Sequence, residues 1–309
     1  MSFSSEVKKE LTQVSCEDPY DCAAELAALI TFGGEICPDQ GGRPTIYFHT
    51  EQPMIASRFI NLAEKMDTRV SEASTPHTYT VSGEAESRRL LKLCGFMDNL
   101  GRIVEEEELF EYTLLQKNRC QRAFLRGAFL ASGSITDPEK NYHYEITCDR
   151  ESAAVLLRDM MGFFGLEAKI VLRKRYFVVY MKEGSMISEI LAVMGGSISK
   201  MNFENIRIYK DVRNVVNRRV NCETANINKT VSASRRQIED IEYIRDTIGF
   251  RSLPDTLKDI ACARLEDPSA TLKELGESLD PPVGKSGVNH RLRKLSQMAQ
   301  DIRDKHNSI

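Results

Sequence analysis

One order of hydrophobic and polar positions occurs twice in about the first two hundred residues. In the first copy, small and apolar residues at 22–34 place Ala24 and Ala28 one turn apart, and their period of about 3.6 predicts a buried helix. Alternation at 45–50 predicts a strand. Apolar positions at helical spacing over 53–66 predict an amphipathic helix, followed by strand-like segments at 69–74 and 77–82 and a closing helix at 85–97. The second copy follows roughly a hundred residues later. A small-residue helix at 122–134, with Gly127 and Ala131 one turn apart, leads into a strand at 142–147, a helix at 152–164, strands at 168–172 and 176–181, and a helix at 186–194. A period of this length means a duplicated domain and not a solenoid. Identity between the copies is slight, so the repeat is one of pattern, and a single unrepeated α+β domain is the alternative.

From residue 255 the pattern becomes all-helical. Leu257, Ile260, Ala261 and Leu265 mark one apolar stripe, broken at Asp267, Pro268 and Ser269. Thr271 with Glu274 three residues on is a capping box, opening a helix with Leu272, Leu275 and Leu279 inward. Residues 280–285 form a turn. A third helix starts near Ser286 and runs past Gln300, with Val288, Leu292, Leu295, Ala299 and Ile302 toward the core. Lys285, Ser286, Asn289, His290, Arg291, Arg293 and Lys294 are then left off the core stripe near its start, where a helix-turn-helix meets the major groove. Asn and Arg read base edges with two hydrogen bonds, and Lys and Ser suit phosphate oxygens. The connection is longer than the usual three or four residues. A three-helix protein-docking module with a solvated basic face is the alternative reading.

Net charge changes the picture only when it is divided. The chain carries -3 overall, but residues 1–209 hold 24 basic and 30 acidic residues, whereas residues 210–309 hold 18 and 15. Between 210 and 237 stand Lys210, Arg213, Arg218, Arg219, Lys229, Arg235 and Arg236 against Asp211 and Glu223 alone. Such a stretch suits a polyanion or makes a solvated helix face. Glu6, Lys8, Lys9 and Glu10 interrupt any apolar signal core, and the apolar run at 26–30 is far too short to cross a bilayer, so a cytoplasmic protein with no membrane partner is expected. Eight cysteines contain no Cys-x-x-Cys pair and do not cluster with the five histidines. Reduced thiols, no metal site and no cofactor are expected.

The two small-residue helices, LAALITFGG at 26–34 and LRGAFLASG at 125–133, resemble the signature helices of the LAGLIDADG homing-endonuclease fold. In that fold the pair meets on a pseudo-two-fold axis, and small residues let the backbones approach; a buried Ala/Gly-rich helix pair alone would look the same. Cleavage in that family depends on an acid near the end of each signature helix, holding divalent metals that activate water. Gly33 and Ser132 stand at those places, and neither replaces a carboxylate as a hard-cation ligand. Glu35 lies two residues beyond Gly33, and the other copy has no matching acid. Catalysis is not expected.

The whole chain is similar to the WhiA family of bacterial sporulation regulators and cell-division factors. The match is carried by FLRGAFLASGS at 124–134, RNVVNRRVNCETANINKT at 213–230 and KSGVNHRLRKL at 285–295. The resemblance implies an α+β, LAGLIDADG-like duplicated domain over 1–205, with repeats at about 1–100 and 119–200. It further implies a basic, Asn-rich linker or helix over 206–250 and an all-α helix-turn-helix domain over 251–309. Double-stranded DNA is the implied partner, with other regulators or division proteins besides, at the nucleoid. Arg213, Asn217, Arg218, Asn221, Asn226, Asn228 and Lys229 join the candidate DNA-binding residues. A division scaffold acting through protein contacts and an active homing endonuclease are the competing functions.

Overall fold

The computed structural model describes residues 2–38, 43–81, 83–98, 100–104 and 117–306. The chain divides into two compact units, Met1–Asp211 and Val212–Ile309. Helix α1 (Phe3–Leu11) precedes the first copy, which is α2 (Pro19–Gly33), β1 (Gly34–Pro38), β2 (Pro44–His49), α3 (Pro53–Lys65), β3 (Ser71–Glu72), β4 (Thr78–Val81) and α4 (Glu84–Leu93). The second copy is α5 (Asn118–Ser132), β5 (Gly133–Ile135), β6 (Tyr144–Cys148), α6 (Glu151–Gly162), β7 (Lys169–Arg173), β8 (Tyr176–Met181) and α7 (Gly184–Met194). Of the strand-like segment expected at 77–82, Ser82 lies outside the described residues.

Each copy makes one antiparallel four-stranded sheet, ordered β1-β2-β4-β3 and β5-β6-β8-β7. The identical order is strong support for duplication, because register and order are set by long-range pairing and not by local composition. Strands β1 and β5 were not expected from the pattern. Each begins at the glycine directly after its signature helix; β5 has only three residues, and β1 is bounded by Gly34 and Pro38, which read as turn residues. Pairing holds them in place, Gly34 opposite Phe48 and Gly133 opposite Ile146.

Helices α2 and α5 pack against each other at the centre of the unit. A Cβ on Gly127 would lie 2.5 Å from the Glu25 carbonyl oxygen and 2.9 Å from the Ala28 Cβ, so the backbones approach as closely as small residues allow. The same interface buries an ion triad. Glu25 is wholly buried and accepts from Arg58 Nε and Nη2 at 2.7 and 2.8 Å and from Arg126 Nε and Nη2 at 3.0 and 2.6 Å. Phe124 stands where the second copy would carry the equivalent of Glu25, so the triad breaks the internal symmetry.

Helix α8 runs unbroken over Ser197–Thr247. Its start is capped by the Glu10 carboxylate, which accepts from the backbone N–H groups of Ile198 and Ser199 at 2.8 Å each. The second unit has its own core. Ile241 and Ile244, at the end of α8, join Leu253 and residues of α9 (Asp255–Glu266), α10 (Leu272–Glu277) and α11 (Lys285–His306). The apolar cluster thus begins ten residues before 251, the start of the helical domain read from the sequence, because the last turns of α8 supply one of its walls.

Candidate nucleic-acid interface

The local signals at the C-terminal end fold as written. Thr271 and Glu274 form a reciprocal capping box: the Glu274 backbone N–H donates to Thr271 Oγ1 at 3.3 Å, and the Thr271 N–H donates to Glu274 Oε2 at 2.7 Å. That backbone N–H holds the Glu274 carboxyl below its ordinary range. Asp267 stops α9 by accepting from the N–H groups of Ser269 and Ala270 and from the Ser269 hydroxyl. After α10 the chain turns back, and Val283 N–H donates to the Gly276 carbonyl at 2.8 Å. A Cβ at 276 would fall 2.0 Å from the Val283 carbonyl oxygen. Gly276→Ala is therefore expected to destabilise the second unit by about 3 kcal/mol, the upper end of overpacking costs, because the obstacle is a backbone carbonyl and not a side chain that can yield. Calorimetry should show its transition lowered while that of residues 1–211 stays in place.

Helix α11 is divided cleanly between core and solvent. Val288, Leu292, Leu295 and Ala299 are buried. Opposite them Ser286, His290, Arg293 and Gln297 are exposed at spacings of four, three and four, a single outward stripe. Exposed Lys294 and half-buried Asn289 flank it, and exposed Lys285 sits at the first turn. Arg291 falls on the far flank, half-buried, and its Nη1 donates to the Thr256 carbonyl at 3.5 Å. The stripe ends where Gln297 Nε2 donates to Asp301 Oδ1 at 2.9 Å, since an acid there repels a polyanion. The helix is anchored beyond that point: Arg303 Nη1 pairs with Asp240 Oδ1 at 2.8 Å and its guanidinium lies over the Tyr243 ring. A groove lined by Asp259, Glu266, Asp267, Glu274 and Asp280 carries the sign opposite to the stripe and offers phosphate nothing.

The Asn-rich segment lies within α8, and every residue from Asp211 to Ala233 is exposed. Arg213, Asn217, Arg218, Asn221, Asn228 and Lys229 share one broad face. Asn226 points to another side, where its Nδ2 donates to Cys222 Sγ at 3.8 Å. Asn214 belongs with the shared face but was missed in the sequence, although its spacing to Asn217 and Asn221 was the available signal.

Gly33 and Ser132, the positions the resemblance assigns to the missing acids, lie at the ends of α2 and α5. A Cβ on Gly33 would lie 2.9 Å from the Phe48 ring, which is fully buried and stacked on Phe59 at 4.4 Å between centroids. Ser132 Oγ is buried with no hydrogen-bond partner among the described residues. Glu35 is exposed on β1, opposite Tyr47. Among the described residues no group of three or more His, Cys, Asp or Glu side chains could hold a metal ion, and no helix is long and apolar enough to cross a membrane.

Comparison with known proteins finds similarity to both parts of the chain. A family model described as the WhiA LAGLIDADG-like domain matches residues 121–213, and one described as the WhiA C-terminal HTH domain matches residues 216–299. A protein of Lachnospira eligens named probable cell division protein WhiA is 44% identical, covering 98% of each chain. One of the same name from Alkaliphilus metalliredigens is 42% identical, covering 99% of each. The crystal structure of full-length DUF199/WhiA from Thermatoga maritima superposes with a TM-score of 0.60 at 27% identity, covering 97% of this chain and 99% of that one.

Proposed function

The chain belongs to the WhiA family, and from that premise we propose that it is a DNA-binding regulator without catalytic activity, acting on transcription in cell division, sporulation or chromosome segregation. The observation that carries the reading is the outward stripe of α11, a helix locked into a core on one side and presenting Ser286, His290, Arg293 and Gln297 on the other. An α-helix of this kind fits the major groove of duplex DNA. Asn289 and Arg293, one turn apart, are assigned to base edges. Lys285, Ser286 and Lys294 are assigned to phosphates, the first two at a helix N-terminus whose backbone N–H groups favour an anion. Arg291 positions α11 against α9. Duplex DNA at the nucleoid is the partner, with other regulators or division proteins as further ones.

Arg293→Ala is expected to cost on the order of 1–3 kcal/mol on a selected site and to relax discrimination. Lys294→Ala should weaken all sequences alike and lower the salt slope by about one. Salt titrations of each variant on the selected and a scrambled duplex check this; equal losses for Arg293→Ala on both would overturn the base-reading assignment.

Incubation of duplex DNA with the protein and magnesium or manganese is expected to leave the duplex intact. Gly33→Asp should lower the melting temperature by crowding Phe48, without creating cleavage. Chelator-sensitive double-strand cleavage by the wild-type protein would refute the non-catalytic reading.

The relatives' name as cell division proteins favours a second reading, a scaffold working through protein contacts. Removal of residues from 255 onward would strip the cover from Ile241 and Ile244, so point variants in the full chain separate the two readings better. A scaffold keeps its division phenotype in Arg293→Ala with Lys294→Ala; a DNA-dependent regulator loses it.

A further inference from the structure

We propose that residues 213–229 of α8 form a second DNA-reading helix, which docks in a major groove by an asparagine stripe and is ordered by that docking. The inference extends the DNA-binding reading of α11 and rests on it only in taking duplex DNA as the common ligand.

The first observation is exposure. From Asp211 to Ala233 every residue is exposed, so no tertiary packing supports these turns. Most helical stability in proteins comes from the packing of one face. The second observation is composition. Residues 213–230 include Asn214, Asn217, Asn221, Asn226 and Asn228 together with Val215, Val216, Val220, Thr224, Ile227 and Thr230, and only one alanine. Asn and β-branched residues are poor helix formers when packing does not decide. A spacer selected only to stay helical would not carry them.

Placement supplies the third observation. Asn214, Asn217, Asn221 and Asn228 recur at spacings of three, four and seven, one stripe along one face. Arg213, Arg218 and Lys229 flank that stripe, and Arg235 and Arg236 continue it. The acid in this stretch, Glu223, is turned to the other side and paired with Arg219 at 3.0 Å. No side-chain hydrogen bond among the described residues engages the four stripe amides.

A carboxamide offers one donor and one acceptor at the separation of adenine N6 and N7, and the major groove admits an α-helix. From Asn214 to Asn228 the helix rises roughly 21 Å, a span on the order of six base-pair steps. Flanking Arg and Lys side chains then meet phosphates on either wall of the groove. The exposed apolar residues Val212, Val216, Val220, Ile227 and Val231 occupy a different face. Self-association or protein docking through that face is the competing outcome.

The test uses the full chain and duplexes selected by the wild-type protein from a random-sequence pool. Asn217→Ala with Asn221→Ala is compared with Arg293→Ala by anisotropy titration and hydroxyl-radical footprinting, and hydrogen exchange is followed over 212–233 with and without DNA. The asparagine variant is expected to bind roughly tenfold or more weakly, to lose adenine preference and to give a shorter footprint. Its helicity without DNA should not fall, since alanine is the better helix former. Exchange over 212–233 should be fast in the free protein and slow on the selected duplex. Wild-type affinity and footprint in the asparagine variant would overturn the proposal, and so would protection that rises with protein concentration in the absence of DNA. If Arg293→Ala weakens binding and the asparagine variant does not, the α11 reading stands and this one fails; the reverse result sinks the α11 reading and leaves this one standing.

Discussion

Glu25→Ala is expected to cost about 3–5 kcal/mol, the loss typical when one partner of a buried ion network is removed. The carboxylate is wholly buried and satisfies two guanidiniums that are themselves 7% exposed. Without it Arg58 retains the Thr12 carbonyl and Arg126 the Met194 carbonyl, at 3.4 and 3.2 Å, and neither neutralises a charge. The penalty falls on the first unit, where Glu25 on α2 ties α3 of one copy to α5 of the other. Calorimetry should show the transition of residues 1–211 greatly lowered and that of the second unit unchanged. A loss below about 1 kcal/mol would mean that water replaces the carboxylate and that the triad is not a dry site. Replacing all three residues by apolar ones of similar size should recover much of the stability, because the desolvation cost of the charges disappears with them.

The second large effect is expected at Gly127. Gly127→Val introduces a Cβ at 2.5 Å from a backbone carbonyl oxygen of the facing helix and two methyl groups beyond it. Overpacking typically costs about 1–3 kcal/mol when side chains can yield; here the obstacle is backbone in the central helix pair, so about 3 kcal/mol or more is expected. The carbonyl belongs to Glu25, which couples the two sites. A double variant, Gly127→Val with Glu25→Ala, should therefore lose less than the sum of the single losses, and a double-mutant cycle measures the difference. Strict additivity would show that helix separation and the ion triad are independent.

The helix-turn-helix end was the most legible part of the chain. Its capping box, its Asp267 stop and the core stripe of α11 depend on residues three or four apart, and the periodicity that predicts such contacts is the one that makes them. Six of the seven residues singled out there are exposed or flank the exposed face. Arg291 is the exception. Its position differs from that of its neighbours by one step of the helix, and its tie to Thr256 depends on how α9 packs.

In the long helix the absence of any glycine or proline between Gly196 and Gly249 was a readable sign of continuity. The Asn-rich composition argued the other way, and composition could not say which asparagines share a face until the helix was known to be unbroken.

By itself the sequence determined most of the elements, their repetition and the absence of acids at positions 33 and 132, because propensity, periodicity and residue identity are properties of the local chain. Tertiary structure alone decided the rest. The pairing that creates β1 and β5, the meeting of Glu25 with residues 33 and 101 positions away, the closing of the Gly33 site by Phe48 and the sharing of Ile241 and Ile244 with the C-terminal core are contacts between distant segments. Which distant segments meet is set by the burial of the whole apolar surface at once, and no window of neighbouring residues contains that information.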